Sequence, residues 1–378
     1  MSASAEGAGS RRGRMPRLLV LTPDYPPARG GIQVLVHHLA AGLDGFETRV
    51  VTLDGVGAAV FDASSELSVR RVHANGRAGA ARNVALNAQA MREAARHRPD
   101  LVLSAHIVTS PAAAAIRGVL GARVVQYFYA KEIGNRPRLA AFAARRAHAA
   151  ISISSYTSGL LTGIGVAPQH LRLIPPGVEL PLDPRAQPSA RPTLLTIARL
   201  EDRYKGHDLL VESLGSIRER VPGVEWVVIG DGPLRPELEE LARARGVADC
   251  TRFLGSVSDE VRDSWLRRAD VLAMPSRLPG GRLAGEGFGI VYLEAGAYGK
   301  PVVAGNVAGA LDAVSDGETG LLVDPTDARA VGDAITRLLL DPELARRLGA
   351  AGAERARRFA WPVVVERVQA VLNEVLAA

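Results

Sequence analysis

Two glutamates, Glu286 and Glu294, bracket the stretch Gly287-Phe288-Gly289-Ile290-Val291-Tyr292-Leu293. Ahead of it run an apolar segment, 271–274, and a glycine-rich loop at Pro279-Gly280-Gly281. Glycines at 285, 287 and 289 let a backbone approach a ligand closely. The pattern predicts a helix starting near Gly289, whose unpaired N–H groups favour phosphate. Glu286 then lies in the loop just before that helix, and Glu294 about one turn inside it. Carboxylates are poor phosphate ligands but good acceptors for sugar and ribose hydroxyls. The competing reading makes Glu286 a helix cap and Glu294 a solvated charge.

A second group, Arg199 and Lys205, flanks Leu200-Glu201-Asp202-Arg203-Tyr204 after the apolar run 193–197. Residues beyond the carboxyl end of a parallel strand line the ligand crevice of α/β folds. Two cations there can neutralise a diphosphate and stabilise it as it leaves. Taken alone, the stretch also reads as an exposed basic loop. Gly30-Gly31, between an apolar run and a helical pattern, is a weak phosphate signal and equally a simple turn. It is not a GxGxxG fingerprint, which argues against a nicotinamide dehydrogenase. Gly230-Asp231-Gly232-Pro233 reads as a turn.

The elements that must position these residues are short apolar runs alternating with amphipathic stretches. Candidate strands are 17–22, 48–53, 101–105, 124–128 and 150–154, with helical patterns at 32–43 and 80–97. A proline-dense segment from 175 to 192 interrupts the alternation, and 181–192 reads as a linker. Strands resume at 193–197, 224–229, 251–254, 271–274 and 301–304, and an amphipathic helix occupies 362–376. Strand–helix alternation argues for parallel sheets covered on both faces, here two doubly wound α/β domains with a cleft between them. The expected division is a disordered tail over 1–16, a domain over 17–180, the linker, a second domain over 193–355, and a terminal segment over 356–378.

Bulk properties agree. The 378 residues exceed one ordinary α/β domain, and 47% apolar with 23% charged residues is a globular balance. The lone cysteine, Cys250, excludes an internal disulfide framework and a Cys-rich zinc site, and fits a reducing cytosol. No run approaches the roughly 20 apolar residues that cross a bilayer. Residues 18–21 are too few for a signal-peptide core. Charge is uneven: residues 1–180 carry 21 Lys+Arg against 11 Asp+Glu, and the remainder 25 against 29. A basic first half suits an anionic surface such as phospholipid headgroups, or merely solvates an arginine-rich protein. Lys131, Lys205 and Lys300 are the only lysines, a bias expected of a GC-rich bacterial genome.

In order and spacing the chain resembles the glycosyltransferase family 4 enzymes of GT-B fold, from about Leu18 to the last helix. The resemblance is closest to the PimB-type phosphatidylinositol-mannoside mannosyltransferases. Pro26-Pro27-Ala28-Arg29-Gly30-Gly31-Ile32-Gln33 is similar to that group's amino-terminal loop. Ala273-Met274-Pro275-Ser276-Arg277, followed by residues 285–295, resembles its donor-site signature. Glu286 and Glu294 match the EX7E motif, and Arg199 and Lys205 the diphosphate-binding pair. The resemblance implies that Arg199 and Lys205 hold the diphosphate with help from Gly30 and Gly31. Glu286 binds the hexose and Glu294 the ribose, while Gly287, Phe288, Gly289, Ile290 and Val291 line the donor. Gly255 and Val257 meet the nucleobase. Asp24 lies near the acceptor hydroxyl, and Phe359-Ala360-Trp361 lead into a helix that crosses back to the first domain. The chain departs from the family at Phe128-Tyr129-Ala130-Lys131-Glu132, where Tyr129 replaces a histidine that contacts the donor sugar. His106, at a strand end, is a candidate for the same cleft or a residue with a satisfied backbone contact.

The activity this implies is retaining transfer of a hexosyl group, such as mannosyl from GDP-mannose, to an acceptor hydroxyl. Attack occurs on the face the diphosphate leaves, with no protein carboxylate as nucleophile. No Asp-x-Asp metal motif is placed for a donor, so neither a divalent ion nor another cofactor is expected. The expected partners are a nucleotide-sugar donor and a hydroxyl acceptor, with no nucleic acid. The expected location is the cytoplasm, with peripheral contact at the inner face of an anionic membrane. A glycolipid acceptor competes with a soluble natural-product acceptor, and both with a non-catalytic nucleotide-sugar binding protein. The intact Arg199/Lys205/Glu286/Glu294 set argues against the last.

Overall fold

The computed structural model describes residues 14–28, 30–73, 79–187, 189–278 and 285–378. The glycine-rich loop at 279–281, tail residues 1–13, Arg29 and linker residue Pro188 lie outside the described residues. Among the described residues, thirteen strands form two sheets, and helices fill most of the connections between them.

The first sheet holds β1 (Arg17–Leu21), β2 (Glu47–Leu53), β3 (Ser68–Val72), β4 (Leu101–Ser104), β5 (Arg123–Phe128), β6 (Ala149–Ser152) and β7 (Leu171–Leu173). Its order is β3-β2-β1-β4-β5-β6-β7. β1 runs parallel to β2 and β4, β2 to β3, and β6 to β7. The second sheet holds β8 (Thr193–Ile197), β9 (Glu225–Ile229), β10 (Thr251–Gly255), β11 (Val271–Met274), β12 (Val302–Gly305) and β13 (Gly320–Val323). Its order is β10-β9-β8-β11-β12-β13, parallel throughout. In both sheets the order reverses direction beside the first strand, the point at which doubly wound folds bind ligands.

The central strands are apolar on both faces because helices cover both. Leu18, Leu19, Val20 and Leu21 are fully buried, as are Leu194 and Leu195. In the second sheet Trp226 is also fully buried, and its indole N–H donates to Thr196 Oγ1 at 3.0 Å. Leu209, Leu210, Leu214 and Ile217 of helix His207–Arg220 pack in the same core as Val331 and Ile335 of helix Ala328–Leu340.

Three strands escaped the sequence pattern: β3, β7 and β13. All three are sheet edges. β3 carries Arg70 and Arg71 and is half exposed, and β7 is three residues long. Short, charged edges are how sheets avoid further pairing, and they erase the apolar signal that marks a central strand.

The chain divides into two compact units, Met1–Val125 with Leu372–Ala378, and Gln126–Val371. Within the described start of the first, Arg14 pairs with Asp100 at 2.9 Å, and the Arg17 N–H donates to Asp100 Oδ2 at 2.8 Å. In the second, Val178 forms a parallel bridge to Ala360, and its N–H donates to the Phe359 carbonyl at 2.8 Å. Trp361, 5% exposed, opens the last helix, Trp361–Ala377. No described helix is long and apolar enough to cross a membrane.

Candidate active site

Two loops of the second unit build the site from the ends of neighbouring strands. One follows β8 and carries Arg199 and Lys205; the other follows β11 and carries Glu286. They touch at Gly206. Its φ is +80°, and a Cβ there would lie 2.4 Å from the Pro275 carbonyl oxygen, so only glycine fits. The Arg277 N–H donates to the Tyr204 carbonyl at 2.7 Å. The Arg277 guanidinium grips the Asp208 carboxylate at 3.0 and 2.6 Å, a two-pronged tie from the second loop to the helix that follows the first.

Held this way, Lys205 and Glu286 meet although 81 residues separate them. Lys205 Nζ lies 2.5 Å from Glu286 Oε2, with side chains 18% and 10% exposed. Ser276 Oγ donates to the same carboxylate oxygen at 3.4 Å. The Lys205 ammonium also sits 5.2 Å from the Tyr204 ring centroid. Burial pulls the Lys205 pKa down, but Glu286 beside it more than offsets this, so Lys205 stands above the ordinary lysine value. Burial also pushes the Tyr204 phenol up.

Helix Ile290–Ala297 starts where the spacing predicted. Gly289 is its N-terminal boundary at φ +84°, and no side chain caps it. The Tyr292 hydroxyl donates to the Met274 carbonyl at 2.6 Å, pinning the first turn to the end of β11. Gly206 likewise precedes helix His207–Arg220 with no side-chain cap. Two uncapped helix starts beside a lysine make an anion-binding environment. Phe288 is buried, its ring 5.8 Å from Phe359, and Val291 is buried beneath the first turn while Ile290 is half exposed. Gly287 is half exposed in the loop ahead of that turn.

The remaining predicted residues have distinct settings. Arg199 is 64% exposed and pairs with Glu201 at 3.3 Å. Glu294 is no solvated charge: its Oε1 accepts from Arg262 Nη1 at 3.1 Å, and burial raises its pKa against the pull of Arg262. Arg262 was not singled out in the sequence, because nothing in its local spacing points to a residue 32 positions away. Gly255 ends β10, and its carbonyl accepts from the Gly230 N–H at 2.9 Å, with Val257 half buried just beyond. Tyr129 precedes helix Ala130–Asn135 and donates its N–H to Glu132 Oε1 at 3.1 Å. Its ring stacks on Tyr127 at 5.9 Å. Two residues on, Lys131 reaches Asp202 at 3.0 Å, tying this segment to the Lys205 loop.

The first unit holds the other candidates. Gly30 bounds helix Gly31–Gly42, which begins at Gly31. Gln33, quoted in the sequence without a role, lies between Gly30 and Asp24 and donates to Asp24 Oδ1 at 3.2 Å. Asp24 is further anchored by its N–H donating to Thr22 Oγ1 at 3.0 Å. His106 Nδ1 accepts from the Val108 N–H at 3.2 Å, so its ring caps the short turn Ile107–Thr109. That is the backbone-contact reading of this residue. Among the described residues, no group of three or more His, Cys, Asp and Glu side chains could hold a metal ion.

Comparison with known proteins matches this construction. The profile described as Glycosyl transferases group 1 matches residues 183–355, and that of Glycosyltransferase Family 4 matches residues 29–181. The GDP-mannose-dependent alpha-(1-6)-phosphatidylinositol monomannoside mannosyltransferase of Mycobacterium tuberculosis is 34% identical over 360 residues, covering 90% of this chain and 93% of the relative. The Mycolicibacterium smegmatis protein of the same name is 32% identical, covering 83% and 87%. Among solved structures, sucrose-phosphate synthase from Thermosynechococcus elongatus superposes with a TM-score of 0.81 at 22% identity, covering 96% of this chain and all of that one. Anabaena HepE in complex with UDP and glucose gives a TM-score of 0.79 at 20% identity, with 96% and 100% coverage, so the GT-B fold is shared. The chain belongs to glycosyltransferase family 4 and is a glycosyltransferase.

Proposed function

We propose that this enzyme transfers mannosyl from GDP-mannose to a hydroxyl of a phosphatidylinositol-mannoside-type glycolipid, with retention of configuration and without a divalent metal. The observation that carries the reading is the buried Lys205–Glu286 pair beside two uncapped helix starts. It provides a cation for a diphosphate and a carboxylate for sugar hydroxyls, next to each other. The donor and acceptor follow the relatives' named activity across nearly the whole chain.

In this mechanism Lys205 and Arg199 take the diphosphate, with the N–H groups opening helix Ile290–Ala297. Glu286 orients the hexose and Glu294 the ribose. The acceptor hydroxyl attacks the anomeric carbon on the face the diphosphate leaves, and its proton passes to the departing phosphate oxygen. The C–O bond to phosphate breaks as the new glycosidic bond forms, so no glycosyl-enzyme is needed. The cations do the electrostatic work a metal does elsewhere. Arg199, now turned to Glu201, rotates onto the diphosphate when the donor binds.

A soluble acceptor is the second reading, favoured by Tyr129 standing where the family has a histidine. A donor panel of GDP- and UDP-sugars, read by mass spectrometry with and without EDTA, tests the proposal. GDP-mannose turnover that persists in EDTA is the expected result. Preference for a UDP-sugar, or activity restored only by Mg²⁺ or Mn²⁺, contradicts it.

A further inference from the structure

Glu294 occupies an unusual setting for a residue one turn into a helix. Its Oε1 takes a hydrogen bond from Arg262 Nη1 at 3.1 Å, and its Oε2 has no hydrogen-bond partner among the described residues. The side chains of Glu294 and Arg262 are 20% and 30% exposed. Arg262 belongs to helix Asp259–Arg268, which follows the turn containing Gly255 and Val257. The segment assigned to the nucleobase therefore also supplies the partner of the carboxylate assigned to the ribose.

Helix Asp259–Arg268 is itself firmly held. Ser258 Oγ caps it by accepting from the Val261 N–H at 3.4 Å. Trp265, one turn past Arg262 and 7% exposed, has the Arg252 and Arg268 guanidiniums 5.4 and 5.6 Å from its ring centroid. Arg262 Nη2 lies 3.5 Å from Asp263 Oδ1. Burial and the carboxylates of Asp263 and Asp259 all disfavour an ionised Glu294, and Arg262 opposes them.

We propose that Arg262 is a positioning residue for the donor's ribose: it fixes Glu294 through Oε1 and leaves the carboxylate's remaining acceptor sites to the ribose hydroxyls. An ionised carboxylate has about four such sites, so one guanidinium N–H leaves room for a vicinal diol. Without the arginine, the carboxylate loses both its orientation and its main reason to stay charged. The inference rests on the reading of Glu294 as the ribose ligand.

The test measures calorimetric binding of GDP and of 2′,3′-dideoxy-GDP, with UDP and its dideoxy form in parallel. The proteins are wild type, Arg262→Ala, Arg262→Lys and Glu294→Gln. Wild type should prefer the hydroxylated nucleotide by about tenfold or more, the worth of charge-assisted hydrogen bonds. Arg262→Ala should lose most of that preference while binding the dideoxy nucleotide as wild type does, and Arg262→Lys should fall between. Equal weakening toward both nucleotides in Arg262→Ala, or full retention of the preference, overturns the inference. If Arg262→Ala does not fold, Arg262→Lys decides by the same criterion. A wild type that does not discriminate, or binds neither pair, removes the ribose reading of Glu294 instead, and the inference with it.

Discussion

Lys205 Nζ and Glu286 Oε2 lie 2.5 Å apart, joined across two loops that Gly206 allows to touch. Removing one partner of a buried ion pair costs about 3–5 kcal/mol, because the other charge is left without compensation, whereas replacing both is nearly neutral. Lys205→Met should therefore destabilise the protein by about that amount, and Lys205→Met/Glu286→Gln should recover most of the loss. Denaturant melts of the two singles and the double check this. Additive losses would mean the pair is not coupled in the folded protein. Transfer should be absent from all three, since none keeps the cation and carboxylate together.

His207 opens the helix after Gly206, is 2% exposed, and has no hydrogen-bond partner on either ring nitrogen among the described residues. Burial, reinforced by Lys205, lowers its pKa to about 4, with Asp208 opposing. The unfolded chain then binds the proton more readily, so stability is full above pH 6.5 and falls as the pH drops toward 4. The loss attributable to His207 is about 3 kcal/mol across that window. Burial lowers His37, His38 and His97 as well, adding losses of the same sign. Thermal melts between pH 7.5 and 4.5 should show the decline, and His207→Asn should flatten part of it. A variant with the wild-type slope would show that His207 is protonated without penalty.

Tyr129 is fastened by its own N–H to Glu132, and Lys131 ties the segment to Asp202. A phenol donates a hydrogen bond but carries no charge near neutral pH. If Tyr129 meets the donor sugar as proposed, Tyr129→His should change the ratio of hexoses transferred and leave nucleotide affinity within about twofold, since no phosphate contact is altered. Steady-state comparison of two GDP-hexoses reads both quantities. An unchanged hexose ratio would take Tyr129 out of the donor site.

Helix Pro137–Arg146 keeps Arg138, Arg145 and Arg146 exposed, with Arg136 exposed just before it and Leu139 and Phe142 half buried. The Arg146 guanidinium lies 5.8 Å from the Phe142 ring centroid. Basic residues beside an anionic leaflet contribute about 1 kcal/mol each. Co-sedimentation with anionic vesicles at low salt should occur, and Arg145→Glu/Arg146→Glu should weaken it roughly tenfold or more. Equal binding to neutral vesicles would take these arginines out of the contact, and no binding to anionic ones favours the soluble-acceptor reading.

Much of this was legible in the sequence, for identifiable reasons. The central strands are buried on both faces and so appear as uninterrupted apolar runs. Gly289 marked a helix start because a left-handed boundary residue favours glycine. Glu286 and Lys205 were each recognisable, but their contact was not: it depends on Gly206 meeting Pro275, a long-range event with no local signature. Arg262 was hidden for the same reason. The edge strands β3, β7 and β13 were hidden because edges are short or polar. His106 had two readings, and its Nδ1 contact to the Val108 N–H fits the backbone one.

The most direct measurement is sugar transfer from GDP-mannose to a phosphatidylinositol mannoside in EDTA, with the product followed by mass spectrometry and its anomeric configuration by NMR. Wild type should add one hexose with the donor's α configuration, and Lys205→Ala should lose at least about a hundredfold in kcat/KM, combining a lost diphosphate contact with lost leaving-group stabilisation. An inverted product, or near-wild-type turnover by Lys205→Ala, would contradict the proposed mechanism.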